Sequence, residues 1–167
     1  MANITIKVTG INSLIRDYGK FRKDMQHNMV VPLGDSAAKY LKVIHVNFNN
    51  RGRTFGESWP PLSPATIAEK RRLVAQRKSK AINKPLVRTG ALQQGFGRQT
   101  KKSANESYVY NTQSYAIVHQ EGATVTYHGR NVTVPRRVLA EVDDERINMV
   151  ATIFTKWFNG IVSRNKV

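Results

Sequence analysis

The sequence predicts an α+β fold: a small, mostly antiparallel sheet packed against a long N-terminal helix and a C-terminal helix, with an extended loop and a projecting hairpin. Three patterns predict it. Apolar residues recur at three- and four-residue spacing between Leu14 and Phe48, and again between Ile147 and Ile161. That spacing places them on one helix face. Between Phe96 and Val134 they alternate in short runs broken by Gly, Asn and Ser, the pattern of half-buried strands joined by turns.

In chain order, Ile4, Ile6 and Val8 alternate with Thr5 and Lys7, predicting a strand that Thr9-Gly10 ends. Leu14, Tyr18, Phe21, Met25 and Met29 then form one helical stripe. Pro32 interrupts it, because proline has no amide hydrogen and crowds the preceding turn. The pattern restarts with Leu33, Ala37, Tyr40, Leu41, Ile44 and Phe48, so this region is either two helices or one helix kinked at Pro32. Asn47 to Ser58 contains Asn49-Asn50, Gly52 and Gly56 and predicts a loop. Trp59 follows it, and a Trp beside two prolines most simply pins a loop to the core.

Two punctuated segments come next. In the first, Ser63 suits a helix N-cap and Pro64 the first helical position, with Thr66 and Glu69 as a second capping box. In the second, Thr89 is the expected cap and Gly95 ends a short helix. A flexible basic loop, about residues 71–84, joins them. Phe96 to Lys101 and Glu106 to Thr112 predict strands turned at Ser103-Ala104-Asn105, with Tyr108 and Tyr110 on one face and Val109 on the other. Ser114 to Gln120 predicts a short helix capped by Ser114 and ended at Gly122. Val125 and Tyr127 are expected to pair with Val132 and Val134 across His128-Gly129-Arg130-Asn131, giving a hairpin of about residues 123–134. In the last helix Ile147, Val150, Phe154, Trp157 and Ile161 form the stripe, widened by Ile153 and Phe158. Asp143, Asp144 and Glu145 at its start and Arg164 and Lys166 at its end suit the helix dipole.

The length of 167 residues fits a single domain with a real core. There is no cysteine, so no disulfide framework and no thiolate metal site. No apolar run approaches the ~18 residues a bilayer span needs, and Met1-Ala2-Asn3-Ile4 does not open a signal peptide. The net charge is +16, unevenly placed. Lys70, Arg71, Arg72, Arg77, Lys78, Lys80, Lys84, Arg88, Arg98, Lys101 and Lys102 fall in one stretch without a single Asp or Glu. Such a block calls for an anionic partner, nucleic acid or an acidic protein face; the plainer reading is a solvated loop.

Four segments also carry a resemblance. Trp59-Pro60-Pro61-Leu62-Ser63-Pro64-Ala65-Thr66 is followed by Pro85-Leu86-Val87-Arg88-Thr89-Gly90-Ala91-Leu92, then by Tyr115-Ala116-Ile117-Val118-His119-Gln120-Glu121-Gly122, then by Val134-Pro135-Arg136-Arg137-Val138-Leu139. In this order they resemble the virion-morphogenesis family of tailed bacteriophages, the tail-completion or neck proteins. The chain departs from that pattern in a long basic insert, Arg71 to Lys84, and in Arg137-Val138 where the family has Pro-Phe. The resemblance implies a structural virion subunit, assembled in the host cytoplasm and placed at the head–tail junction. There it would form a homo-oligomeric ring, probable symmetry sixfold, between the head connector or stopper and the tail tube or terminator proteins. The basic block would meet an acidic neighbour, such as Glu141 to Glu145 of the next subunit, or the genomic DNA in the channel.

No catalytic constellation accompanies these motifs. His27, His45, His119 and His128 are not at metal-ligand spacing, and no phosphate-binding loop is present. His119 beside Gln120 and Glu121 lacks a nucleophile. Asp143-Asp144-Glu145 reads as helix-start acids before it reads as a cation site. No cofactor, metal or enzymatic activity is expected. The alternative function is a basic nucleic-acid-binding module. Against it, Phe96 is the one aromatic between Lys70 and Lys102, whereas single-strand binders add stacking platforms to their charge.

Overall fold

The long N-terminal helix expected from the apolar stripe is present, and it breaks one turn before Pro32. In the computed structural model, which describes residues 11–127 and 129–165, α1 spans Ile11–Asn28 and α2 spans Val30–Asn49. Met29 between them is itself right-handed helical, at φ −59° and ψ −26°, and Pro32 has no amide hydrogen to give the Asn28 carbonyl one turn back, so the helical bonding is interrupted there. The two segments therefore follow one another as a long helix interrupted at Met29. The expected strand at Ile4, Ile6 and Val8 lies outside the described residues.

α2 is the element against which the core forms. Ile44 and Phe48 are fully buried and pack with Phe55, Trp59, Leu92, Val138 and Leu139. The helix runs three residues into the expected loop, to Asn49, because the apolar stripe continues through Phe48. The chain then reverses at Gly52, whose φ is +93°. A Cβ at Gly52 would lie 2.3 Å from Trp59 Cδ1, so only glycine lets the indole close over this turn. The 3-10 turn Arg53–Phe55 then delivers Phe55 to the core.

The expected small antiparallel sheet is a two-stranded ribbon, and the expected hairpin is a second ribbon separate from it. β1 (Phe96–Lys101) pairs with β2 (Glu106–Asn111), from Phe96 opposite Asn111 to Lys101 opposite Glu106. This ribbon lies along α2, where Arg98 Nη1 donates to the Gly34 carbonyl at 2.9 Å. Val109 packs against the core, and Tyr108 and Tyr110 face outward. β3 (Ala123–Tyr127) and β4 (Arg130–Val134) form the hairpin. The expected four-residue turn would set Tyr127 opposite Val132 and Val125 opposite Val134; instead Val125 pairs with Val132, Val134 with Ala123 and Tyr127 with Arg130. The turn is shorter than the four residues anticipated, since Arg130 and Asn131 belong to the strand and Gly129 takes a φ of +74°.

α6 (Asp144–Asn165) packs on α1 and α2. Asp143 caps it, with Oδ1 accepting from the Arg146 amide at 2.9 Å. Phe158 meets Phe21 edge to face at 6.1 Å, Asn165 donates to Asp24 at 3.0 Å, and Ile161 is fully buried. The buried stripe is narrower than the apolar one: Ile147 is 54% exposed and Phe158 41%. No helix among the described residues is long and apolar enough to cross a membrane.

Candidate functional site

The two punctuated segments fold as helix starts around a shared cleft. Ser63 Oγ accepts from the Thr66 amide at 3.2 Å, and Pro64 opens α3 (Pro64–Ala75). Thr66 is not a second cap. Its hydroxyl lies 2.9 Å from Ser63 Oγ, and Glu69 instead pairs with Arg72 at 2.6 Å. α3 also consumes Arg71 to Ala75, the beginning of the expected loop, because this run is built from good helix formers and braced by the Glu69–Arg72 pair. Further along, Gly90, with φ +86°, takes the N-cap position of the one-turn α4 (Ala91–Gln94) that was assigned to Thr89. The Thr89 hydroxyl accepts from the Ala91 amide at 3.3 Å, and Gly95 closes the turn in right-handed conformation. Likewise Tyr115, not Ser114, precedes α5 (Ala116–Glu121), since the Ala116 amide already bonds the Gln113 carbonyl at 3.0 Å.

The third and fourth segments lock together. Gln120 acts as a side-chain clamp: Oε1 accepts from the amides of Leu139 at 2.8 Å and Ala140 at 3.2 Å, and Nε2 donates to the Ala140 carbonyl at 3.0 Å. The Arg137 amide donates to the His119 carbonyl at 2.7 Å. Gly122, at φ +74°, has Arg136 N within 2.9 Å of where a Cβ would stand, so a larger residue would push this segment away. Pro135 is partly buried at the head of the segment. The clamp fixes Arg137, Val138 and Leu139, all buried. From the other side, Trp59 Nε1 and Asn47 Nδ2 both donate to the Val138 carbonyl at 2.9 Å. Trp59 meets Phe48 edge to face at 5.2 Å. Pro60 is exposed next to it, while Leu62 is partly buried.

Between these parts lies a cleft of about 1260 Å³. Leu62, Leu73, Leu86 and Leu92 line it, with Tyr115, His119 and Arg137. Leu86 adopts φ +59°, an unusual left-handed conformation for a bulky residue. Tyr115 packs edge to face on His119 at 6.1 Å. His119 Nδ1 is buried without a hydrogen-bond partner. Burial, and then the charge of Arg137, lower the pKa of His119. Burial also lowers that of Arg137, whose Nε has no partner.

The basic block divides in two. Lys70, assigned by sequence to the partner-facing set, is buried at 6% exposure. Its Nζ donates to the carbonyls of Lys84 at 2.5 Å and Val87 at 3.1 Å, so it fastens the loop to α3 instead of facing a partner. That tether, a Lys80 amide to Arg88 carbonyl bond of 2.7 Å and the buried Ser79 give the segment between α3 and α4 a defined path. Arg71, Arg72, Arg77, Lys78, Lys80, Lys84 and Arg88 are exposed, and of these Arg72 is paired.

The sequence matches the phage virion morphogenesis family over residues 20–159. The chain belongs to that family. It has a structural or assembly role in a phage virion. No curated protein and no solved structure matches. Within the phage virion morphogenesis fold seen here, the four motif segments are the pieces that build the cleft and the core behind it.

Two residues central to this arrangement were not singled out from sequence. Asn47 lies three positions after Ile44, on the apolar stripe of α2, where a polar residue signals a buried hydrogen-bonding role. Arg146 lies four before Val150 on the stripe of α6. It is buried against Phe55, donates to the Thr54 carbonyl at 2.7 Å, and pairs with Asp143 at 3.3 Å and with Glu145. Two acids of the 141–145 cluster are thus engaged within the chain. Among the described residues no three His, Asp or Glu side chains gather to hold a metal.

Proposed function

We propose that this chain is a subunit of a ring at the head–tail junction, where it completes the tail and joins it to the head connector. The observation that carries the reading is an apolar strip left open beside α2 and α6. Val142 is 72% exposed and Ile147 54%, and with Leu33, Ala37, Val109 and Phe154 they border a groove of about 480 Å³. An apolar strip of this kind beyond a chain's own core suits contact with another subunit. The occupant we assign is the next copy in the ring, in a heterologous contact that closes by rotation. The work done is ordered binding, with no turnover: the exposed cations and the cleft remain for the proteins above and below, or for DNA in the channel. Gold labelling of the protein in intact particles tests this. Label at the neck is expected; label confined to the capsid shell or to the tail tip refutes it. Negative-stain images of the purified protein, alone and added to tails, are expected to show rings in at least the second case.

A further inference from the structure

We propose that the cleft between α3, the segment joining α3 to α4, and residues 133–137 receives an extended acidic and apolar segment of a different virion protein, with one carboxylate seated on Arg137. The inference rests on the assembly reading for its setting. Its test uses the isolated protein, so the two fail separately.

The first support is an internal contrast between two buried arginines. Arg146, 5% exposed, has two carboxylates, Asp143 and Glu145, against its guanidinium and donates to the Thr54 carbonyl, although its Nε, like that of Arg137, is buried without a partner among the described residues. Arg137, 7% exposed, has no carboxylate and no side-chain hydrogen bond among the described residues. The buried Nε of Arg137 has neither a partner nor a nearby counter-charge among the described residues, a penalty that a carboxylate ligand would relieve. Its planar fork fits a carboxylate through two parallel bonds. The unpartnered Nδ1 of His119 borders the same cleft and offers a further polar contact.

The walls set the rest of the ligand. Leu62, Leu73, Leu86 and Leu92 demand apolar side chains on either side of the carboxylate. The rim carries Arg77, Lys78, Lys80 and Arg88, and its one acid, Glu69, is already bound to Arg72. A second copy of this chain is a poor ligand: it too carries +16, and Glu57, Glu69, Asp143 and Glu145 already face its own arginines. Duplex DNA can reach the exposed rim, but a phosphate on a wide rod cannot follow a side chain to a recessed guanidinium between leucines. The fitting occupant is a flexible acidic protein segment.

Fluorescence anisotropy of the full chain with a labelled peptide of four Glu-Leu repeats tests this, alongside the Gln-Leu peptide and a duplex DNA. The Glu-Leu peptide should bind. Arg137→Gln should weaken it about thirtyfold or more, as loss of a buried charge partner does. Arg137→Lys should recover part of the affinity, and Lys78→Gln should change mainly the salt dependence. Arg137→Gln should melt no lower than the wild type, since it removes an unpaired buried charge. In the wild type, saturating peptide should raise the His119 pKa seen by NMR, because a carboxylate offsets the Arg137 charge. Equal binding of the Gln-Leu peptide, equal affinity in Arg137→Gln, or an unmoved His119 pKa would overturn the proposal. DNA affinity that depends on Arg137 would overturn it in favour of nucleic acid.

Discussion

The Val138 carbonyl accepts from Trp59 Nε1 and from Asn47 Nδ2, both at 2.9 Å. This doubly held acceptor joins α2, the first motif and the segment bearing Arg137. Trp59→Phe and Asn47→Leu each remove one donor and leave the other. The Trp59 change should cost about 1–2 kcal/mol, from one net hydrogen bond and lost ring contact. Asn47→Leu conserves shape and also removes a buried Oδ1 that has no partner, so it should cost about 0–1 kcal/mol. Together they orphan a buried carbonyl, which adds about 1–3 kcal/mol beyond the sum. Urea unfolding of the four proteins gives the coupling directly. If the two changes add to within about 0.5 kcal/mol, the shared acceptor is not holding the segment and this account of the core is wrong.

Other consequences are open to measurement. Trp59→Ala should destabilise by about 3–5 kcal/mol; an unchanged melt with lost particle assembly would instead place the indole at an interface. Lys70→Met leaves the Lys84 and Val87 carbonyls without their donor and should cost about 1–3 kcal/mol in urea; a stabilised variant would refute the tether. The folded-state pKa of His119 is lowered, so between its folded and unfolded values the unfolded chain binds the extra proton. Stability should therefore fall as pH drops through about 6.5. His119→Gln should gain on the wild type between pH 7.5 and 5, and a pH-independent gap would count against the buried neutral imidazole. Replacing Arg77, Lys78, Lys80 and Lys84 by Gln should leave the melt nearly unchanged and block head–tail joining. Tight, salt-steep duplex binding by the wild type with normal joining by this variant would favour the nucleic-acid reading.

The helices and both ribbons were legible because each has a period. Phe96–Lys101 stands where its alternation placed it, and the hairpin lies where it was expected, although its shorter turn shifts the register by two residues. Caps were less legible: Ser63 was clear because Pro64 follows it, whereas Thr89 and Ser114 lost their positions to neighbours whose backbone, not side chain, starts the helix. The segment Pro135–Ala140 has no period at all. Its burial comes from Gln120, Trp59 and Asn47, whose bonds to it span 19 to 92 positions in sequence, and no local pattern encodes such partners. For the same reason the sequence grouped Lys70 with the exposed cations and could not separate Arg137 from Arg136.

That separation bears most on function. A net charge of +16 resists bringing copies together, so an apolar contact between subunits competes with repulsion between their basic faces. Internal pairing does little to relieve it: Arg146 and Arg72 are matched by acids, Lys70 by carbonyls alone. Four of the remaining cations, Arg77, Lys78, Lys80 and Arg88, are exposed on the rim of one cleft, around an arginine that lacks a counter-charge among the described residues. A partner that brings carboxylates to this cleft lowers the repulsion as it binds, and the apolar strip of Val142 and Ile147 then closes at less opposition. On the proposed reading, subunit contact and partner contact would be coupled through charge, and the free chain would be reluctant to assemble before its partner is present. Ordered assembly needs that reluctance, and here it follows from where the acids are missing.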